Sequence, residues 1–295
     1  MFNLEEWNIG IVYEPISAFL SATTKHQIHW LPPAGRGKYF ADPFGVTRNG
    51  RTYILCEEFD YRTFRGRIVC IELVDKKAMS QPTVAIEPPF HVSYPYVFEY
   101  EGKVYCVPET RRAGEIGLYQ AEELPSRWKK VATLVSGFSG VDSTLFQYRD
   151  LWWLASVDHA GSMHRLFIWY SEGPLGPWKS HAANPVKADY SSSRPGGTPF
   201  ICDDCLYRPA QDCSNSYGRR VIINHVTKLT CTEFKEEKVA VVEPYATDPY
   251  PDGLHTISSI GNATLVDGKR FLSRISSAEY FVARQYAKIK SLIAA

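Results

Sequence analysis

What this sequence lacks narrows it before any motif is considered. No stretch approaches the run of about 18 apolar residues that a membrane-crossing helix needs. The start, MFNLEEWNIGIVYEP, has neither the basic segment nor the unbroken apolar run of an export signal, so the expected location is the cytoplasm. Charge of one sign is not in excess: 33 Lys and Arg stand against 32 Asp and Glu in 295 residues. With no net field to recruit nucleic acid or anionic lipid, a neutral, compact ligand fits better. The P-loop, GxGxxG, GxSxG and HExxH patterns are absent, and no cofactor is expected. Helical periodicity is scarce too. ISAFLSA from Ile16 and AEYFVARQYAKIKSL near the end are the two candidates, the second predicting a helix over about 277–293.

Cysteine is present in an odd number: 56, 70, 106, 202, 205, 213 and 231. Several sit in apolar runs such as YILCEE and KVYCVPE, the pattern of buried reduced thiols. Cys202 and Cys205 flank Asp203-Asp204, which reads as a hairpin turn, and no second pair completes four ligands, so no metal is expected.

What is abundant is a repeat. A unit of apolar strand, polar turn, aromatic-rich strand and terminal carboxylate or amide occurs as DPFGVTRNGRTYILCEE from Asp42, YPYVFEYEGKVYCVPET from Tyr94 and DSTLFQYRDLWWLASVD from Asp142. Weaker copies start at Gly196 and His255, so the starts lie 48 to 59 residues apart. Asn49-Gly50 and Glu101-Gly102 occupy the same turn position, as tight hairpins require. Roughly 40 to 50 residues make one four-stranded propeller blade, and a blade cannot cover its own faces. The expected fold is therefore all-β: one five-bladed β-propeller over residues 1–295, with WNIGIVY completing the last blade. An irregular β-sandwich is the alternative.

In a propeller the start of each blade's first strand and the end of its second lie on one face. That face would gather Asp42, Tyr94, Asp142 and His255 with Glu57, Glu58, Glu109, Asp158, Gln211 and Asp212. Alternation lets only one of Glu57 and Glu58 point inward, and Glu57 aligns with Glu109. Arg194 and Arg208, each before a proline, are candidates to hold an anion or carboxylate. Tyr94, Tyr96, Trp152, Trp153 and Tyr207 offer flat faces for sugar rings. Crowded carboxylates shift one another's pKa values, so one can act as acid while another stays ionised, the division of labour of glycosyl chemistry. Each candidate also has a structural reading. Asp42 and Asp142 could cap turns, Glu109 could pair with Arg111 or Arg112, Arg208 could bridge blades, and His255 could be a hydrogen-bonded wall.

ADPF, LGPWKSHAANPV and SSSRPGGTPF followed by LYRPAQDCSNSYG resemble the five-bladed propellers of the furanosidase, fructosidase and mannoside-phosphorylase group. SYPYVFEYEGKVYCVPET and VDSTLF are more specifically similar to the N-terminal propeller domain of glucosamine inositolphosphorylceramide transferases and its free-standing bacterial relatives, from about Trp7 to Phe281. The resemblance implies Asp42 as base or nucleophile, Asp142 as an assisting carboxylate and Glu109 in the place of the acid, although the hydrolase acid motifs are not reproduced. It implies a glycosyltransferase using a phosphate-activated donor in cell-surface polysaccharide assembly, with Arg194, Arg208 or His255 receiving the phosphate. A glycoside hydrolase or phosphorylase, and a carbohydrate-binding propeller without catalysis, are the other readings it leaves open. The helix AEYFVARQYAKIKSL would either dock on the propeller or touch a membrane surface that carries a lipid-linked glycan acceptor.

Overall fold

A computed structural model describes residues 4–21, 25–74, 79–158 and 164–272. Their strands form five sheets in chain order, each a twisted antiparallel meander. The first blade runs Lys38–Arg48, Arg51–Asp60, Arg65–Leu73 and Thr83–Ile86, and the second Ser93–Tyr100, Lys103–Glu109, Glu115–Glu123 and Arg127–Ser136. The third has Val141–Tyr148, Leu151–Asp158 and Arg165–Ser171, with Lys179–Ser180 and Lys187–Ala188 both pairing its third strand. Phe200–Cys202, Cys205–Asp212, Arg220–Leu229 and Phe234–Val242 make the fourth. The fifth is built from both ends of the described chain. Ile257–Ile260 and Ala263–Phe271 are joined by Glu5–Val12, in register from Glu5 opposite Phe271 to Val12 opposite Thr264, and then by His29–Trp30. WNIGIVY thus closes the ring.

The turn residues explain why the inner hairpins form where they do. Asn49-Gly50, Glu101-Gly102 and Asp203-Asp204 all have positive φ at both positions, the backbone of a two-residue turn whose twist matches the strands. Cys202 and Cys205 are accordingly cross-strand partners, and all seven cysteines are free thiols. The apolar residues lie in layers between blades. Phe44, Leu55, Tyr96 and Leu154 pack across blades one to three, Ile9, Phe40, Ile54 and Leu265 across blades five and one, and Trp153, Leu166, Leu206 and Val226 across blades three and four. This is why no blade could stand alone.

The helix expectation at ISAFLSA is corrected to a single 3-10 turn, Ile16–Leu20, which buries Ile16 and Phe19 against the fourth and fifth blades. Five residues after a proline offer one apolar stripe too short for an α-helix to be stable. The expected helix over 277–293 lies outside the described residues. Among the described residues no helix is long and apolar enough to cross a membrane.

Candidate active site

The site starts from a backbone irregularity repeated three times. Pairing of first and second strands slips between Ala41 and Phe44, between Ser93 and Tyr96, and between Val141 and Thr144. In each gap one residue takes a left-handed conformation: Asp42 (φ 53°), Tyr94 (φ 44°) and Asp142 (φ 51°). A bulge bends the strand and re-aims a side chain, and holding a non-glycine residue there costs about 1–3 kcal/mol. All three are buried.

Asp42 joins three blades. Its Oδ2 accepts the Tyr94 N–H (3.2 Å), its Oδ1 accepts the Thr256 hydroxyl (3.0 Å), and its own N–H donates to Asp267 Oδ2 (3.1 Å). Asp267 also accepts the His255 and Thr256 N–H groups (2.9 and 3.0 Å) and lies 2.6 Å from His255 Nδ1. This leaves His255 Nε2 facing Asp42 Oδ1 at 3.7 Å. Trp7 stacks on the His255 ring at 4.0 Å. Burial disfavours a charge on His255, but Asp267 and Asp42 outweigh it and raise its pKa. Burial also pushes the Asp42 carboxyl up to about 6, with His255 opposing and Asp142 and Asp267 adding.

Asp142 is held by the Arg194 guanidinium (2.5 Å) and the Gln211 amide (2.6 Å), and Gln211 is itself anchored on Pro195 O (2.8 Å). The Tyr94 hydroxyl accepts the Gly197 N–H (2.8 Å) and shares a hydrogen bond with Thr144 (3.1 Å), so Tyr94 bridges blades as a wall. Gly197 is required there: at φ 137°, a Cβ would sit 1.6 Å from Ile257 O.

Two further carboxyls face this group. Glu57 is buried, its Oε1 has no hydrogen bond, and burial followed by Asp42, Glu109 and Asp142 raises its pKa well above the usual range. Its neighbour is His91, whose Nδ1 accepts the Gly66 N–H (2.9 Å) and whose Nε2 stands 3.7 Å from Glu57 Oε1. Glu109 is pushed up to about 8, chiefly by burial and by Asp142, with Arg194 opposing. One buried rim therefore carries Asp42, mostly ionised at neutral pH, Glu109, mostly protonated there, and Glu57, whose pKa burial and its carboxylate neighbours raise.

The other expected pocket residues are placed differently. Glu58 turns to the opposite side of its strand and meets Lys38 (2.9 Å) and Arg67 (2.7 Å). Asp158 is clasped by Arg165, and Asp212 by Arg220 (2.7 Å) and Ser214. Arg208 is buried against Glu236 through two hydrogen bonds (2.8 and 2.6 Å) and also binds Ser192 O, so its guanidinium ties blade four together. Each of these four is satisfied by a neighbouring strand, where leaving it unpaired would be costly.

Two participants escaped the sequence reading. Asp267 was missed because it lies inside the strand Ala263–Phe271, twelve residues after the repeat start at His255 and short of the position where the repeat carries its terminal carboxylate. Tyr217, on the connection between Asp212 and Arg220, has a half-exposed ring set edge-on to Trp7 (6.1 Å) and His255 (5.3 Å), with the Arg194 guanidinium 5.1 Å from its centre. Its hydroxyl is buried near Asp42, Asp142 and Glu57, which keeps it a neutral phenol. Only its loop position distinguishes it in sequence.

Asp42, His255 and Asp267 place one ligand-type atom each within 4.8 Å of the others. Asp267 is already committed to His255 Nδ1 and three backbone N–H groups, so Asp42 Oδ1 and His255 Nε2 are what remains to offer a cation.

Residues 32–247 match the family model for the N-terminal region of glucosamine inositolphosphorylceramide transferase 1. Over 208 residues, 68% of this chain, the proteins of that name from Oryza sativa subsp. japonica and Arabidopsis thaliana are 38% and 35% identical. Those 208 residues span 28% and 27% of the relatives' own length. Among solved structures, the propeller is similar to Zg3597, a family 117 glycoside hydrolase from Zobellia galactanivorans, with TM-score 0.56, 14% identity, and coverage of 90% of this chain and 92% of that one. An alpha-L-arabinofuranosidase from Podospora anserina gives TM-score 0.58 and 12% identity over 78% and 80%. At such identities the likeness concerns the fold. By sequence, the chain belongs to the glucosamine inositolphosphorylceramide transferase 1 N-terminal family.

Proposed function

We propose that the axial pocket transfers a sugar from a phosphate-activated donor to an acceptor hydroxyl in cell-surface glycan assembly, the acceptor being a headgroup or glycan carried on a lipid. The supporting observation is the burial of Asp42 and Asp142 on left-handed bulges in one group with Glu57 and Glu109, where burial pushes Asp42 up to about 6 and Glu109 up to about 8. At neutral pH the Asp42 carboxylate takes the proton of the acceptor hydroxyl as its oxygen bonds to the anomeric carbon. The bond from that carbon to the phosphate oxygen breaks, and Glu109 gives its proton to the departing phosphate. Asp142, fixed by Arg194 and Gln211, supplies the negative field that keeps Glu109 protonated and favours the oxocarbenium-like centre. The Tyr217 face is suited to a sugar ring. The names of the plant relatives add to this reading, and a cytoplasmic setting stays part of it.

The test is incubation with nucleotide sugars, phosphoribosyl donors and aryl glycosides, using wild type and Asp42→Asn. Asparagine tolerates positive φ and can still accept a hydrogen bond, so the bulge survives while the base is lost. The expected result is transfer from a phosphate-activated donor, reduced at least about 100-fold in the variant with sugar binding retained. Turnover of aryl glycosides alone would mark a hydrolase, and ligand binding without turnover in either protein would mark a binding module.

A further inference from the structure

A phosphate-activated donor, or a phosphorylated headgroup, needs cations at the pocket mouth. Arg194 is held by Asp142, Arg208 by Glu236, and His255 lies between Asp267 and Asp42. On the first blade Arg62 is taken by Asp60, and Arg67 by Glu58 and Glu87. Arg111 and Arg112 differ. They form the 3-10 turn Arg111–Ala113, separated from Glu109 by Thr110 alone, are exposed, and have no carboxylate within ion-pair distance among the described residues. Their charge nevertheless reaches the site, Arg111 acting on Glu109 and Arg112 on His91.

The turn is rigidly mounted. Ala113 N–H donates to Thr110 O (2.8 Å), Gly114 N–H donates to Arg111 O (3.0 Å), and Gly114 adopts φ 67°. Buried Thr110 anchors it below, its hydroxyl donating to Glu115 O (2.7 Å) and accepting the Gly117 N–H (3.2 Å). Each guanidinium is a planar fork suited to bidentate pairing with phosphate oxygens, and neither is spent on a carboxylate among the described residues.

We propose that Arg111 and Arg112 form the phosphate subsite of the pocket, binding either the phosphate of an activated sugar or the phosphodiester of a lipid headgroup. The ligand class rests on the sugar-transfer reading above, but the anion site stands or falls separately. Titration calorimetry of the full chain at about 20 mM salt, where exposed charges are weakly screened, uses inorganic pyrophosphate as the donor probe and glycerophosphoinositol as the headgroup probe. Wild type is expected to bind at least one of them. Arg111→Ala and Arg112→Ala should each weaken that probe about tenfold, whereas Arg62→Ala, whose side chain is spent on Asp60, should leave it unchanged. Selective loss of pyrophosphate assigns the subsite to the donor, and selective loss of glycerophosphoinositol assigns it to the headgroup. Binding unchanged in the double variant, equal loss in Arg62→Ala, or no binding of either probe by wild type overturns the proposal. Thermal unfolding of the variants, which alter exposed side chains, checks that the fold is intact. A chain that holds pyrophosphate through these arginines yet transfers no sugar upholds the subsite and removes the transfer reading.

Discussion

Replacing Glu109 by glutamine should make the protein more stable in alkali and hardly alter it in acid. Burial beside Asp142 pushes the Glu109 carboxyl up to about 8 from its ordinary 4.5. The folded chain therefore binds a proton that the unfolded chain releases between those two values, so stability falls as pH rises through that window and levels off above it. At 1.36 kcal/mol per pH unit, the ceiling for this one group is about 5 kcal/mol. Asp42 and Glu57 share the same rim and relax when one charge is removed, so the measured gain should be about 2–4 kcal/mol. Glutamine is nearly isosteric and carries no charge. The assay is urea unfolding of wild type and Glu109→Gln from pH 5 to pH 9. The two curves should coincide near pH 5, diverge above pH 6, and leave the variant more stable by that amount at pH 9, or roughly 3–6 °C in Tm. A variant that tracks wild type across the range, or is less stable at pH 9, would refute the claim that this rim stores repulsion.

Two other substitutions probe the supports of the rim. Arg194→Met removes the cation from buried Asp142 and leaves an uncompensated carboxylate, which should cost about 3–5 kcal/mol at pH 7 in the urea midpoint. Much of that loss should return with Asp142→Asn in the same chain. Gly66→Ala puts a Cβ 2.1 Å from Glu57 Oε1 and 2.8 Å from Val92 O; because the second neighbour is backbone, the strands must part, at about 1–3 kcal/mol in chemical denaturation. Glu57 should be displaced with them, so sugar affinity should fall in the same variant, and an unchanged affinity would separate Glu57 from the ligand.

The fold was legible because its signals are local and repeated. Asn49-Gly50 and Glu101-Gly102 fix hairpins by φ alone, and alternation then decides between Glu57 and Glu58 without knowledge of any partner. The roles of the arginines were not legible, because they are set by partners distant in sequence. Arg208 is claimed by Glu236, 28 residues on, and Arg194 by Asp142, 52 residues back. A sequence lists both guanidinium groups but does not say which carboxylate neutralises them. Asp267 was not legible because it sits in the middle of the strand Ala263–Phe271, off the repeat's terminal-carboxylate position, and its role comes from contacts with His255, 12 residues back, and Asp42, 225 residues back.

The bulges give those misses a common explanation. Left-handed Asp42 and Asp142 are each strained by about 1–3 kcal/mol, and both carboxylates are buried with their neighbours Glu57 and Glu109. Tyr94 occupies the same strained position in the second blade, and there the side chain is satisfied entirely within the protein, by Gly197 and Thr144. Equal backbone geometry with unequal side-chain chemistry separates the two tasks. At Tyr94 the bulge closes the propeller axis with a neutral, fully bonded group. At Asp42 and Asp142 the same bulge delivers carboxylates onto that closed floor, beside Glu57 and Glu109, whose pKa values burial raises. A stabilising core would favour the tyrosine solution in every blade, and under the proposed transfer the two aspartates at this position are the groups that would meet the ligand.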